Sequence, residues 1–448
     1  MPIKRPSKPI SWAEFTPKLQ PKKFIQILNL VKAPIYRDEY LHWDDLRFKP
    51  LPENLSAEEL WIGLKIQRHI RRQDIALTDA NSMPFSFLLC DDLYKELREI
   101  DVNVGGQAFV AGLDVNNHET RNRYLISTLI QESITSSQLE GAVTTRLVAK
   151  EMFKTGRPPR NDGERMILNN YQTMEFIREI QGRQLTMDLL LEIHRRVTVG
   201  TLENNTAAGR LRREDEPVKV ADNEGNIYHE PPSAAELPRR VQAMLDFANT
   251  PERESGYVHP VVRAMILHFW LAYDHPFTDG NGRTARALFY WAMLHQGYWI
   301  FEFISISSSI LKAPVQYARA FLETESDEND LNYFLFYHLK IIKAALIELR
   351  EYVRRKQDEI QRVAVLMRGS AALNYRQQAL VEHAMRHPDF RYTITSHKNS
   401  HNVTVQTARN DLFGLVDKKI LRVKKIGKVY YFNADGEIEE KLRRLGEK

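Results

Sequence analysis

His275-Pro-Phe-Thr-Asp-Gly-Asn-Gly-Arg-Thr-Ala-Arg286 is a polar stretch that joins two strongly apolar segments of this 448-residue chain. The apolar residues 260–273 before it predict a buried helix that Pro276 ends, because residues before a proline disfavour helical geometry. Residues 283–296 after it predict a second helix, which ends at Gly297. The sequence therefore predicts two core helices joined by a short polar loop.

This loop combines the groups that phosphoryl transfer needs. Unpaired backbone amides at a helix N-terminus attract anions, and glycines allow a close approach. The amides expected to face a polyphosphate are those of Gly280, Asn281, Gly282 and Arg283. Asp279 offers hard oxygens to Mg²⁺, Arg283 offers a forked donor to phosphate oxygens, and the His275 imidazole can take a hydroxyl proton near pH 7. A Gly-Asn-Gly turn or a histidine after a helix is usually structural by itself, but together these groups favour a catalytic site.

The loop resembles the signature of Fic-domain proteins, HxFx(D/E)GNGRxxR. It matches the signature at every defined position, namely His275, Phe277, Asp279, Gly280, Asn281, Gly282, Arg283 and Arg286. The resemblance implies a protein adenylyltransferase, which uses ATP and Mg²⁺ to transfer AMP to a Ser, Thr or Tyr hydroxyl of a target protein or of itself. In this role His275 would be the base, Phe277 would anchor the loop, and Asp279 would hold Mg²⁺. The glycine-turn amides and both arginines would contact the nucleotide.

An upstream segment, Ser136-Ser-Gln-Leu-Glu-Gly141, resembles the inhibitory motif (S/T)xxxE(G/N) of many Fic proteins. Residues 123–139 predict a helix that ends near Gly141 and places Ser133, Ser136 and Glu140 on one face. A solvated glutamate without a role is the structural alternative. The resemblance implies instead that Glu140 pairs with Arg286 and restrains transfer, within its own chain or across a homodimer.

Two further features fit the same family. Residues 218–221 and 227–229 predict a β-hairpin around the turn 222–226, in the position where Fic proteins carry a flap that holds the target by strand addition. The flap residues expected to bind the target are Val218, Lys219, Val220, Ile227 and Tyr228. Tyr317 has roughly the spacing of a tyrosine that lines the nucleotide pocket in Fic proteins. An ordinary surface hairpin and a packed core aromatic are the alternatives.

The C-terminal residues 371–448 are basic, with 15 Lys and Arg against 9 Asp and Glu. Their pattern resembles a winged helix-turn-helix. The predicted helices span 374–385, 394–401 and 404–418, and the predicted strands span 421–424 and 429–432 around a turn at 427–428. Gln406, Arg409 and the wing lysines are candidate DNA contacts. Dimerisation or binding of an acidic protein is the alternative.

The expected fold class is mainly α: a Fic-type helical bundle with a small β-hairpin flap, and a C-terminal winged helix-turn-helix. We predict an N-terminal helical extension (1–115), a Fic domain with the inhibitory helix (116–330), a linker helix (331–370) and the winged helix (371–448). In the extension, residues 60–75 and 92–100 predict helices, whereas 40–44 and 49–52 predict irregular chain. One cysteine, no apolar leader and no stretch of membrane-spanning length indicate a soluble cytoplasmic protein.

Two other functions fit parts of the sequence. The chain could be a DNA-binding regulator that uses the Fic-like fold to sense nucleotides, or an enzyme that transfers another group from a phosphorylated donor. A base at His275 favours an enzyme, because nucleotide sensing would not need a base there. The complete Gly-Asn-Gly-Arg string favours ATP as the donor. The sequence contains neither a P-loop nor a His-Glu-x-x-His zinc motif.

Overall fold

The computed structural model describes residues 3–105, 118–221, 224–250, 257–368, 373–387, 389–401, 403–427 and 429–446. Helices and short antiparallel strand pairs make up its regular structure, which confirms the predicted mainly α class. The chain divides into two compact units, Met1–Leu349 and Arg350–Lys448. The finer division into four parts stays a prediction. Of the predicted turn residues, Asp222, Asn223 and Lys428 lie outside the described residues.

The N-terminal region combines helices with a β-hairpin. Its helices are α1 (Trp12–Phe15), α2 (Pro21–Leu30), α3 (Trp43–Leu46), α4 (Ala57–Arg71) and α5 (Asp91–Gly105), and strands β1 (Gln73–Thr78) and β2 (Pro84–Phe87) pair antiparallel. The predicted helix 60–75 is therefore wrong beyond Arg71. Arg72 has extended geometry, and residues 73–78 pair with a partner strand that a local helical pattern does not reveal. Part of the stretch predicted to be irregular forms α3.

The central region is a helical bundle with one small hairpin. Its helices are α6 (His118–Leu139), α7 (Arg146–Thr155), α8 (Asp162–Ile180), α9 (Met187–Thr198), α10 (Leu237–Asn249), α11 (Pro260–Asp274), α12 (Asn281–His295), α13 (Ile306–Lys312) and α14 (Pro314–Ser326). Strands β3 (Val220–Ala221) and β4 (Ile227–His229) form the predicted hairpin.

Helices α11 and α12 form the centre of this bundle. Almost all of their side chains are buried, including Trp270, Phe289 and Trp291. Full burial of a large apolar side chain contributes about 1.5–3 kcal/mol each, so this pair fixes the ends of the loop between them. The two helices predicted from the sequence are confirmed, and the second begins at Asn281, two residues earlier than predicted.

A single helix, α15 (Asn332–Arg368), follows the bundle, as predicted. The second compact unit contains α16 (Tyr375–Arg386), α17 (Ile394–His401), α18 (Val405–Asp417), β5 (Leu421–Ile426), β6 (Val429–Ala434) and α19 (Ile438–Gly446). The predicted order of three helices and a hairpin is present, with longer strands and an unpredicted final helix. Its core is built around Val381, Leu412, Leu415, Ile420 and Phe432. Among the described residues, helices that are both long and apolar enough to cross a bilayer do not occur.

Candidate active site

The loop between α11 and α12 begins with a left-handed residue, His275, at φ 47° and ψ 55°. Its N–H donates to the Leu271 carbonyl at 3.0 Å and ends α11. A non-glycine residue in this region costs roughly 1–2 kcal/mol, so other contacts must hold it. Arg212 does so: its Nε donates to the His275 carbonyl at 3.0 Å and its backbone N–H to the Pro276 carbonyl at 2.9 Å. This role of Arg212 was not predicted from the sequence.

The hydrogen bonds of His275 define its tautomer. Its Nδ1 lies 3.2 Å from the Ala272 carbonyl oxygen, which can only accept, so Nδ1 carries the proton. Nε2 therefore keeps its lone pair. Burial lowers the pKa of His275 to about 4. The ring is neutral at pH 7 and has a free nitrogen that can take a proton.

A buried aromatic and an asparagine close the loop. The side chain of Asn281 accepts from the Phe277 N–H at 2.9 Å and donates to the Phe277 carbonyl at 2.8 Å. Phe277 is fully buried and stacks on His194, with ring centroids 3.7 Å apart and an angle of 3° between the planes. Phe277 thus occupies the anchoring position that the signature implies. The Asn281 side chain braces the loop, which leaves its backbone amide for a ligand.

His194 supports the loop from the neighbouring helix α9. Its Nδ1 accepts from the Gly209 N–H at 3.0 Å, so Nε2 carries the proton and donates to the Asp279 carbonyl at 3.0 Å. Burial lowers the pKa of His194 to about 4 and keeps the ring neutral. His194 was not predicted from the sequence, because a histidine on an amphipathic helix carries no signal of a partner 85 residues away.

Gly280 is required at the N-terminus of α12. It has φ 80°, and a Cβ there would overlap with the Thr198 side chain. Its N–H donates to Asp279 Oδ1 at 2.6 Å, so this amide is not free, contrary to the prediction. The amides of the first helical turn, those of Asn281, Gly282 and Arg283, have no acceptor among the described residues and remain available to an anion.

Asp279 is the exposed carboxylate of the loop. Its side chain is 56% exposed, and its Oδ2 is 3.3 Å from Arg283 Nη2. Groups of three or more metal-binding side chains do not occur in the part of the chain that the structure describes. Mg²⁺ commonly uses one or two carboxylates and completes its shell with substrate phosphates and water. A single accessible carboxylate beside an anion-binding helix end fits that requirement.

Arg283 lies in the core. It is 1% exposed, and its Nη1 donates to the Val197 carbonyl at 3.2 Å while Nη2 lies against Asp279. Its Nε has no partner among the described residues. The guanidinium group thus connects the loop to α9. The N–H donors that the sequence suggested for phosphate oxygens are largely bonded to the protein itself.

Arg286 and Glu140 form an ion pair across the site. Arg286 Nη2 donates to Glu140 Oε1 at 2.8 Å and to the Ser136 carbonyl at 2.9 Å, and Nε donates to Ser136 Oγ at 2.8 Å. Burial alone would raise the pKa of Glu140, but Arg286 and Arg283 outweigh it and hold the pKa below its usual value. The carboxylate is therefore ionised at neutral pH.

Glu140 is presented by the end of α6. Gly141 follows with φ 90°, and the Ala142 N–H donates to the Ser137 carbonyl at 3.0 Å, which caps the helix. Ser133 bonds to the Leu129 carbonyl of its own helix, at 2.6 Å. Of the three residues predicted to share a face, Ser136 and Glu140 contact Arg286, whereas the Ser133 hydroxyl is engaged within α6.

Tyr317 belongs to a row of hydrogen-bonded side chains. Its hydroxyl lies 2.9 Å from His268 Nε2, and His268 Nδ1 lies 3.0 Å from His338 Nε2. Both histidines are fully buried, and burial raises the pKa of Tyr317 to about 12. Arg286 acts on the same hydroxyl electrostatically, which places Tyr317 on the Arg286 side of the site. The two histidines were not predicted from the sequence.

The flap is attached to the end of α11 through His229. Its Nε2 is 2.7 Å from the Tyr273 carbonyl and its Nδ1 is 2.9 Å from Glu325, so both nitrogens face acceptors. Burial opposes a charge there, but Glu325 outweighs it and raises the pKa of His229. Val218 is half-buried just before β3. Lys219 pairs with Glu230 at 3.0 Å.

The other predicted flap residues also have defined places. Val220 pairs with His229 in the two-stranded sheet, and Ile227 pairs with Ala221. The Ile227 carbonyl and the Tyr228 hydroxyl accept hydrogen bonds from residues near the N-terminus. The structure therefore brings His275, the first turn of α12 and the Glu140–Arg286 pair together, and it places the flap next to the end of α11.

Known proteins are similar to parts of this chain in sequence and in fold. Residues 184–293 match the Fic/DOC family. A protein adenylyltransferase Fic from Nematostella vectensis is 30% identical over 171 residues, which cover 36% of this chain and 37% of that protein. One from Drosophila willistoni is 33% identical over 144 residues, which cover 31% and 26%. The match thus spans between about a quarter and a little over a third of the length of these relatives.

Among solved structures, a Fic family protein from Desulfovibrio desulfuricans is 20% identical with a TM-score of 0.50, and the match covers 77% of this chain and 95% of that one. At this identity the similarity concerns the fold. Residues 184–293, which hold the polar loop and most of its two helices, are therefore a region of the Fic/DOC type within a mainly helical chain.

Proposed function

We propose that this protein transfers AMP from ATP to a hydroxyl group of a target protein and of itself, and that Glu140 restrains the transfer. One observation carries the proposal. A neutral His275, with the lone pair of Nε2 free, follows α11 in the same short loop that presents unpaired amides at the start of α12. A base and an anion-binding helix end are the two parts that phosphoryl transfer to an alcohol requires. The names of the related proteins support the same activity.

The chemistry follows from these positions. His275 Nε2 takes the proton of the target hydroxyl as its oxygen bonds to the α-phosphorus of ATP. The bond between that phosphorus and the bridging oxygen breaks, and pyrophosphate leaves with the electron pair. The amides of Asn281, Gly282 and Arg283 bind phosphate oxygens, and Asp279 would hold Mg²⁺, which neutralises phosphate charge. Arg212 keeps His275 in its left-handed geometry throughout.

Glu140 restrains this reaction by occupying the place of an anion. A Cβ on Gly282, in the first turn of α12, would overlap with Glu140 Oε1, so the carboxylate lies directly on the phosphate-binding turn. Glu140 also pairs with Arg286, which is 2% exposed. The paired guanidinium then has few N–H groups left to donate to a γ-phosphate. The contact forms within one chain, and we propose that inhibition is intramolecular.

Mass spectrometry tests this function. The parent chain, Glu140→Gly and Glu140→Gly/His275→Ala are incubated with ATP and Mg²⁺, with Glu151→Gly as the control for loss of an exposed helical glutamate. We expect an AMP adduct on Glu140→Gly at least tenfold above the parent and the Glu151 control. The double variant should carry none. Equal labelling of the parent and Glu140→Gly, or labelling that persists without His275, contradicts the proposal.

A second role concerns the C-terminal unit, which we propose binds DNA. Gln406 and Arg409 are exposed on α18, and Lys424 and Lys425 are exposed on β5. Arg409 is held over the Tyr430 ring at 5.5 Å, which orients it on this surface. Gel shifts of the full chain, with and without Arg409→Ala, test this role. Binding that weakens with salt and with the substitution supports it, and unretarded DNA at low salt excludes it.

A further inference from the structure

Residues 3–10 form neither helix nor strand, and the first of them contact the flap. The Ile3 N–H donates to the Tyr228 hydroxyl at 2.8 Å, and the Arg5 guanidinium donates to the Ile227 carbonyl. Further along, the Ser7 N–H donates to Asp44 at 2.8 Å, and the Ile10 carbonyl accepts from Trp61 at 3.0 Å. The segment is therefore fixed at both ends, and its first residues use polar groups of β4.

The groove that receives Arg5 lies between the flap and the turn of the N-terminal hairpin. It is lined by Asp79, Asn81, Ile227, Tyr228, Glu230 and Glu325, among others. Tyr273 also lines it, two residues before His275. Since His229 ties the flap to the Tyr273 carbonyl at 2.7 Å, a chain in this groove passes close to the residues that precede the catalytic base. A target segment in this groove could therefore bring its acceptor hydroxyl close to His275.

The groove and the segment have opposite charges. Three carboxylates line the groove, from Asp79, Glu230 and Glu325. Glu230 pairs with Lys219 at 3.0 Å and Glu325 with His229 at 2.9 Å, whereas Asp79 accepts only from backbone amides of its own turn among the described residues. The segment Ile3-Lys-Arg-Pro-Ser-Lys8 carries three cations and no acidic residue. Pro6 cannot continue a helix or donate an amide hydrogen bond, which suits an extended segment held by a few contacts.

We propose that this groove is the docking site for an extended basic segment of the target protein, and that residues 3–8 of the chain occupy it as an internal competitor. The inference deepens the proposed function, on which it rests, by naming the chemical class of the target segment. A target would have to displace Arg5 from the Ile227 carbonyl before it could pair with β4. The protein then has two restraints, one on the nucleotide through Glu140 and one on the target through the segment.

Peptide binding tests the groove without any need for catalysis. The probe is a fluorescent synthetic peptide with the sequence of residues 3–9, and its polarisation is measured with the full chain, with a chain that lacks residues 1–8, and with Arg5→Ala. Lys22→Ala, which changes an exposed lysine on α2, is the matched control. We expect at least tenfold tighter binding to the truncated chain, a smaller gain with Arg5→Ala, and no change with Lys22→Ala.

The second part of the experiment tests whether the negative charge of the groove contributes to peptide binding. Asp79 accepts from the Asn81 and Met83 amides through Oδ1, so Asp79→Asn keeps the turn and removes one charge. In the truncated chain this substitution should weaken the peptide severalfold, and higher salt should weaken it further. Equal affinity of the truncated and full chains, or binding indifferent to Asp79→Asn and to salt, overturns the inference. AMP transfer by Glu140→Gly, measured separately, decides the proposed function independently of this result.

Discussion

The Glu140 carboxylate lies against the Cα of Gly282, so that a Cβ at that position would overlap with Oε1. Gly282 is in the first turn of α12, where the unpaired amides and the helix dipole favour negative charge. Glu140 therefore contacts the start of α12 in addition to pairing with Arg286. Its carboxylate lies where the proposed reaction would place a phosphate group of the nucleotide, and Gly282, which has no side chain, leaves room for one or the other.

This relationship predicts that charge, and not side-chain volume, sets the inhibition. Glu140→Gln keeps the shape of the side chain but removes the ion pair with Arg286 and the competing anion. We expect Mg-ATP to bind Glu140→Gln at least tenfold more tightly than the parent, which corresponds to about 1.4 kcal/mol. Calorimetry with His275→Ala in both proteins measures binding without turnover. Identical affinities would show that the carboxylate charge does not compete with the nucleotide.

The low pKa of His275 predicts how activity depends on pH. Burial lowers this pKa to about 4, and the nearby Glu140 raises it, so removal of Glu140 should lower it further. A base works in its unprotonated form, and activity should therefore persist as the pH falls below 6.5 and be lost only at about pH 4 or below. The measurement is kcat/KM for AMP transfer by Glu140→Gly over that range. A half-maximal rate between pH 6 and 7 would contradict this prediction.

The low pKa of His194 predicts that the folded protein loses stability in acid. Its pKa is lowered from 6.5 to about 4 in the folded protein, so the unfolded chain binds more protons between these values. Its contribution is complete above pH 6.5 and falls as the pH drops towards 4, by roughly 3 kcal/mol for a shift of this size. His194→Phe can keep the stacking on Phe277 but removes the titration. Urea unfolding at pH 7, 5.5 and 4.5 should show a shallower pH dependence for the variant, and an unchanged slope would exclude His194 as its source.

The sequence predicted the parts of this site that depend on local pattern. Residues 260–273 and 283–296 form helices because their apolar residues fill a core, and Pro276 ends the first of them. The hairpin at 73–87 was missed, because its stability comes from pairing between strands and from the Ser86 N–H bonded to the Asn329 carbonyl, at 3.1 Å. A local pattern does not contain such distant contacts.

The supporting residues of the site were missed for the same reason. Arg212 and His194 act on the loop across 63 and 85 residues of sequence, and each lies in a segment whose own pattern is ordinary. The loop signature pointed to the groups that we propose face a ligand. The side chains that hold those groups in place became visible only when the fold brought them together.

Ser136 provides a matched test of how the inhibitory helix holds Arg286. Its Oγ accepts from Arg286 Nε at 2.8 Å, whereas the Ser133 hydroxyl bonds to its own helix at Leu129. Ser136→Ala should leave the buried Nε without a partner and weaken the inhibited arrangement by about 1 kcal/mol, since a net hydrogen bond contributes that much. We therefore expect self-modification about fivefold above the parent, below that of Glu140→Gly, and no change with Ser133→Ala. Radiolabelled AMP incorporation measures all four proteins, and equal effects of the two serine substitutions would show that Ser136 acts through the helix and not through Arg286.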